Sequence, residues 1–328
     1  MTIKEHALTL FDDYKELTVK ELAAKTNASK QMIHHVLNEL LSKRMIQKLG
    51  RTPKTSYRLV EIEDLSQDVK VPHLKEQESL LLNDLFLMVD ETGNLLKGAP
   101  AFALWCAQRG LSFQKTLDEF DSTLQNYKGL YDEHGNINGT EKLLNTKGYD
   151  KIWIDNLYYL DLYEIEKFGR TPLGTLLHYA KQGQSVYLMK LLMAEIKTRI
   201  HEFVKQQKAD AIAFVPPTIK RETQFMKFLQ SNLNLSLPIV EIKKVSGLIP
   251  IPQKSLPKLD ERIRNAENTF AVTDPRKFKH VILIDDAVES GATVNQIAGK
   301  IKLKGIAAEV TGLALVGSFE GFEVVSEM

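Results

Sequence analysis

Thirteen consecutive residues, Val281-Ile-Leu-Ile-Asp-Asp-Ala-Val-Glu-Ser-Gly-Ala-Thr293, concentrate the chemistry of this 328-residue chain. Four successive aliphatics suit a strand buried on both faces. They run straight into two carboxylates, Asp285 and Asp286, placed where such a strand would end. Carboxylates at that point can accept hydrogen bonds from vicinal sugar hydroxyls. Ser290, Gly291, Ala292 and Thr293 then open what reads as a new helix. The first-turn amides of a helix carry partial positive charge and favour a phosphate, and Gly291 lets backbone approach it closely. The segment predicts a grip for a phosphorylated sugar. The plainer alternative is a buried strand followed by an acidic capped turn.

The elements that must position this loop alternate. Short β-type runs at Ala211–Val215, Pro238–Ile242, His280–Ile284 and Ala308–Val316 are separated by helical stretches at Glu222–Ser231 and Val294–Leu303. Alternation of this kind implies parallel βαβ units and a covered sheet, in which ligands sit beyond the carboxyl ends of the strands. Residues 76–205 read as mostly helical, a connecting or hood region, with an apolar stripe at Leu188, Leu191, Leu192 and Ile196. Two strings in that region, Asp90-Glu-Thr-Gly-Asn94 and Asp132-Glu-His-Gly-Asn136, are too short for an EF-hand loop and are expected to be Gly-Asn turns.

The thirteen residues resemble the ribose-5-phosphate signature of type I phosphoribosyltransferases. The resemblance implies that Asp285 and Asp286 hold the ribose 2′- and 3′-hydroxyls of phosphoribosyl pyrophosphate (PRPP), while Ala287, Val288, Glu289, Ser290, Gly291, Ala292 and Thr293 cradle its 5′-phosphate. Ala211-Ile-Ala-Phe-Val-Pro-Pro-Thr-Ile-Lys-Arg-Glu-Thr-Gln-Phe225 looks like the strand and Pro-rich turn of the ComF-like branch, and Gln253, Leu256, Arg262, Asn265 and Phe270 fall at that branch's later positions. By position, Lys220 and Arg221 would face the diphosphate, whose dispersed charge calls for cationic donors. The likeness spans roughly residues 205–316. The chain departs from it by carrying Glu222 where a Gly is usual, and by having one cysteine where ComF-like proteins often carry a Cys-rich zinc module.

Glu289 stands where purine-salvage members of the family place an acid facing the base. The resemblance therefore implies a general base, together with Asp285 and Asp286, in a reaction that releases pyrophosphate. An ordinary exposed loop Glu is the alternative. Residues 243–264 are rich in Lys and Arg against only Asp260 and Glu261, which suits either a mobile flap over pyrophosphate, with Lys254, Lys258 and Arg262 as candidates, or a solvated charged loop. Mg²⁺ is expected to arrive with PRPP near Asp285 and Asp286, with no metal ligated by the protein alone.

The first 62 residues read as three short helices and a hairpin. Thr18 and Ser29 are placed to cap the second and third helices, and Met45–Leu49 and Ser56–Val60 flank a polar turn. This string resembles a winged helix-turn-helix domain. The likeness implies DNA or other nucleic acid as partner, with Ser29, Lys30, Gln31, His34 and Asn38 on the third helix and Lys48, Arg51, Lys54 and Arg58 on the wing. Nine Lys and Arg against two Glu over residues 17–60 give +7 locally, although the whole chain has 43 basic and 42 acidic residues. That local charge supplies the sequence-independent attraction to phosphates. A protein-contact role is the alternative for such a module.

The expected fold class is thus α/β: a winged helix over 1–62, a linker over 63–75, a mostly helical region over 76–205 and a phosphoribosyltransferase-like parallel sheet over 206–328. With 43% apolar residues the chain can build real cores. The single Cys106 excludes an intrachain disulfide, and no run approaches a membrane span. A cytoplasmic protein with no membrane partner is expected. Both resembled families commonly pair, so a homodimer is expected too. Three functions fit: a DNA-binding phosphoribosyltransferase acting on a nucleobase or nucleotide, a transcriptional regulator that senses PRPP or a nucleotide without catalysis, and a retron-type anti-phage effector restrained by a nucleic-acid partner.

Overall fold

The computed structural model describes residues 2–42, 45–51, 54–59, 71–91, 93–217, 219, 221–245 and 256–318. The chain divides into two compact units, Met1–Asp121 and Ser122–Met328. Among the described residues no helix is long and apolar enough to cross a membrane.

The first unit begins with α1 (Ile3–Asp13), α2 (Val19–Thr26) and α3 (Lys30–Ser42), followed by the antiparallel strands β1 (Ile46–Arg51) and β2 (Lys54–Leu59). Local chemistry sets the helix starts. Thr2 and Thr18 each form a reciprocal capping box with a Glu three residues on, and the Ser29 hydroxyl accepts from the Met32 amide at 3.2 Å. Ala7, Phe11, Leu22, Ile33, Val36, Leu37, Leu40, Ile46 and Tyr57 close a core of their own, and Leu17 bridges to Tyr57. Met32, which the apolar spacing assigns to that core, is 49% exposed. Later in this unit come α4 (Glu76–Leu85), the hairpin β3 (Leu87–Val89) and β4 (Leu95–Lys97), and α5 (Gly98–Gln108); α6 (Phe113–Lys128) runs on into the second unit. The loop between β3 and β4 is the turn expected: the Asp90 carboxylate accepts from the Asn94 amide at 2.8 Å, and Gly93 takes φ +85°.

The second unit is mixed α/β, built on a six-stranded, mostly parallel sheet. In chain order its strands are β5 (Ile137–Asn138), β6 (Asn156–Leu162), β9 (Ala211–Phe214), β10 (Ile239–Val240), β13 (Phe278–Val288) and β14 (Ala307–Gly317), and across the sheet the order is β10-β9-β13-β14-β6-β5. Only the β5–β6 pairing is antiparallel. Val281–Ile284 are wholly buried, as four aliphatics in a row demand of a strand covered on both faces. The helices α7 (Thr140–Asn145), α8 (Pro172–Gln182), α9 (Val186–Gln206), α10 (Phe225–Leu233) and α12 (Ala292–Leu303) alternate with these strands.

The middle stretch differs from a purely helical connection. It supplies β6, which joins the sheet beside β14, and a small hairpin of β7 (Glu164–Ile165) and β8 (Gly169–Arg170). The boundary between the two units falls inside this stretch, after Asp121. A second ribbon pairs β11 (Ile242–Lys244) with β12 (Phe270–Val272), and α11 (Leu259–Thr269) precedes β12. Part of the expected flap, residues 246–255, lies outside the described residues, as do residues 63–70 of the expected linker.

Candidate sugar-phosphate site

The site lies where β13 ends. Asp285 pairs with Ala314 in the β13–β14 register, so it is the sheet's own hydrogen bonding that places it there. The Asp286 amide donates to Asp285 Oδ1 at 2.8 Å, and Asp286 Oδ1 lies 2.7 Å from the Lys181 ammonium of α8. Among the described residues neither Asp285 Oδ2 nor Asp286 Oδ2 has a partner. Burial, and then the neighbouring Asp286 charge, push the Asp285 carboxyl above the usual carboxylate range; the Asp286 amide and Lys181 pull the other way.

Past the aspartates the chain turns into α12. Gly291 precedes the helix at φ +83°, and a Cβ there would meet Leu143 Cδ1 at 2.7 Å. The left-handed backbone favours glycine there, while the Leu143 methyl could move aside. The Tyr149 hydroxyl donates to the Ser290 carbonyl at 2.7 Å, and burial raises that phenol to about 12. Inside α12, Asn295 is fully buried; its Oδ1 accepts from the Trp153 amide at 2.6 Å and its Nδ2 donates to the Lys151 carbonyl at 2.9 Å. The loop is therefore tied to residues 149–154 on its far side, which keeps the helix N-terminus fixed.

A cleft of about 710 Å³ gathers these parts, within the size range of ligand pockets. Asp285, Asp286, Ala287, Val288, Glu289, Ser290, Gly291, Ala292 and Thr293 all line it, as does Arg221 from the turn after β9 and Arg262 from α11. That turn is braced by Gln224, whose side-chain amide donates to the carbonyls of Ile219 and Arg221. Arg262 lies 3.1 Å from Glu289, with the Arg side chain 16% exposed and the Glu 55%. Glu289, the expected general base, is thus an exposed carboxylate held by a cation. Lys258 is exposed at the start of α11 and does not line the cleft. Lys220 and Lys254 lie outside the described residues.

The opposite wall could not be read from sequence. It comes from the β7–β8 hairpin and from α8, through Tyr163, His178 and Lys181. The Tyr163 hydroxyl lies 2.9 Å from His178 Nδ1 and accepts from Arg170 Nε at 3.1 Å. Gly174 lets α8 sit tightly on this hairpin, since a Cβ there would lie 2.1 Å from the Tyr163 carbonyl. The helix start itself was legible, with Thr171 capping Gly174 at 3.0 Å and Pro172 in the first turn. That Lys181 faces an aspartate more than a hundred residues away was not.

Among the described residues no cluster of three His, Cys, Asp or Glu side chains could hold a metal by itself. Asp285 and Asp286 offer hard oxygen donors suited to Mg²⁺ as part of a ligand-completed shell.

In the first unit, Ser29, Lys30, Gln31, His34 and Asn38 are all exposed on α3, as is Lys48 on β1, while Arg58 on β2 is half-buried. Arg51 and Lys54 end and begin the two strands.

No protein family profile matches the chain, and no curated protein does. Among solved structures, a purine phosphoribosyltransferase from Pyrococcus horikoshii Ot3 is 17% identical, with 41% of this chain and 93% of that one covered, at a TM-score of 0.22.

Proposed function

We propose that this chain is a nucleic-acid-binding protein whose second unit is a PRPP-binding, phosphoribosyltransferase-like domain that transfers phosphoribosyl to a nucleobase or related acceptor and releases pyrophosphate. One observation carries the reading. Two carboxylate oxygens with no described protein partner stand in the same cleft as a glycine-hinged helix N-terminus, five residues from Asp286 to Gly291. The carboxylates suit a sugar diol and the helix start suits its phosphate.

In this reading Asp285 and Asp286 accept from the ribose hydroxyls, and residues 287–293 hold the 5′-phosphate. Arg221 and the flap cations Lys254, Lys258 and Arg262 would attract the diphosphate. Lys220, beside Arg221 in sequence, belongs to the same set. Mg²⁺, bound with the diphosphate, would neutralise the leaving group's charge. What the chain contributes is orientation: the anomeric carbon is held between two fixed ends of the sugar while an acceptor nitrogen approaches from the Tyr163–His178 wall. Glu289 takes the acceptor's proton once Arg262 turns away from it toward the diphosphate.

The three-helix and hairpin module would be the nucleic-acid reader, a winged helix with α3 in the major groove and Lys48, Arg51, Lys54 and Arg58 along the backbone. The proposed setting is the cytoplasm, with PRPP, a base and nucleic acid as partners and a homodimer as the working form. The Arg262–Glu289 pair favours a second reading, in which the domain senses PRPP or a nucleotide without turnover, because a carboxylate neutralised by a guanidinium is a poor base.

Isotope-labelled PRPP incubated with bases and nucleotides separates the two. Pyrophosphate release that falls about 100-fold or more in Glu289→Gln, with PRPP still bound, is the enzyme's result. PRPP binding without turnover, accompanied by a change in DNA affinity, is the sensor's. Absence of PRPP binding would overturn both.

A further inference from the structure

Successive side chains of a strand point to opposite faces, yet Asp285 and Asp286 both line one cleft at the end of β13. What recruits the second is a cation from outside the motif. Lys181 leaves the last turn of α8, a helix packed against β6 and β14 on the sheet, and its ammonium meets Asp286 Oδ1 at 2.7 Å, with side chains 22% and 18% exposed. The contact is between groups largely withdrawn from water, where an unpaired carboxylate is costly. It leaves Asp286 Oδ2 without a described partner, as Asp285 Oδ2 is, the Asp286 amide donating to Asp285 Oδ1 instead.

We infer that Lys181 is a positioning residue that holds Asp286 as one half of a two-carboxylate grip on the sugar diol, and so makes the cleft selective for ribose over deoxyribose phosphates. The inference rests on the sugar-phosphate reading above. Its physical basis is the like-charge problem. Two carboxylates side by side in a recess repel each other, and an unheld Asp286 side chain would swing away. A fixed ammonium offsets that repulsion while occupying only one carboxylate oxygen. With both acceptors fixed, loss of either hydroxyl from the ligand strands a desolvated oxygen; such sites reject the analogue that lacks the hydroxyl. Nothing comparable holds at the 5′-phosphate, which is met by backbone at the start of α12.

Isothermal calorimetry on the full chain, with ribose 5-phosphate, 2-deoxyribose 5-phosphate and inorganic phosphate as probes, tests this. The native protein should prefer ribose 5-phosphate to its deoxy analogue by about tenfold or more. Lys181→Met should bring that ratio to within about threefold of unity while inorganic phosphate binds as before, and Lys181→Arg, which restores a cation, should recover most of the preference. Lys181→Gln replaces Lys181→Met if the latter does not fold. Retention of the full preference in the neutral variant would overturn the inference with the site reading intact. Loss of preference in Lys181→Arg to the same extent as in Lys181→Met would also count against it, marking the lysine as packing only. Failure of the native protein to bind either sugar phosphate would sink the site reading itself.

Discussion

The cleft at the end of β13 and the exposed face of α3 handle charge in opposite ways. In the cleft, Asp286 is matched by Lys181 and Glu289 by Arg262. On α3, no described partner meets the side chains of Lys30, His34 or Asn38, and all three are exposed. Paired charges in a recess cost desolvation and give back a fixed geometry, which suits one small ligand of defined shape. An unpaired lysine among exposed polar side chains costs little and is strongly screened by salt, the kind of surface the proposed nucleic-acid partner would meet. The proposed function thus assigns the chain two anion-directed surfaces, the first selective by geometry and the second by charge.

Breaking the first surface should leave the second untouched. Asp285→Asn with Asp286→Asn removes both diol acceptors, and PRPP affinity by calorimetry should fall about 100-fold or more, since each lost hydrogen bond to a charged group is worth roughly 1.5–3 kcal/mol. Retention on DNA should not change. Unaltered PRPP affinity would dissolve the contrast.

The reciprocal experiment is Lys30→Ala/Arg51→Ala/Lys54→Ala. Losing three phosphate contacts should weaken DNA binding by roughly 100-fold at moderate salt and flatten the slope of log affinity against log salt by about 3. PRPP binding is the control. Salt-dependent retention that survives the triple change would move the nucleic-acid surface elsewhere.

A smaller effect separates paired charge that holds structure from paired charge that holds ligand. Asp274 is buried after β12, where its carboxylate accepts from Arg276 Nε and Nη2 and from the Arg276 and Glu241 amides. The Arg276 guanidinium holds that carboxyl well below the usual range. Asp274→Ala should cost about 2 kcal/mol by chemical denaturation at neutral pH. Because the folded value is depressed, the native residue's contribution is present above the ordinary carboxylate range and fades as pH drops through it. The variant's deficit should therefore shrink in acid.

The smallest expected effect has the opposite sign. Asp285 is raised by burial, so the folded chain holds a proton that the unfolded chain releases, and stability falls as pH climbs above about 4. Asp285→Asn should raise stability at neutral pH by on the order of 1 kcal/mol and flatten that part of the pH profile. A destabilised Asn variant would mean that the carboxylate is held for folding and not for a ligand.

Much of the site was legible because it is local. Val281–Thr293 contains its own strand, acids, glycine and helix start within thirteen positions, so their types and order were readable even though pairing with β14 and contacts from residues 149–154 and 181 fix them in place. The α2 and α3 caps were legible for the same reason. Met32, in the apolar run of α3, is nonetheless exposed, a distinction helical spacing cannot make because it does not tell the edge of an apolar stripe from its centre. The Arg262–Glu289 pair joins a flap candidate to the expected base, and no spacing rule connects residues on α11 with a loop after β13.

What the amino-acid order settled by itself is a buried strand running into two aspartates and a glycine-led helix, and a basic helix-and-hairpin module ahead of it. Which groups complete the cleft was left to the tertiary structure. Lys181 reaches Asp286, and Tyr163 and His178 join the same cleft, only because β6 joins the sheet beside β14 and carries the hairpin and α8 to the strand ends. Capping, turn geometry and strand burial act over a few residues, whereas an ion pair forms between any two side chains that the sheet order brings together.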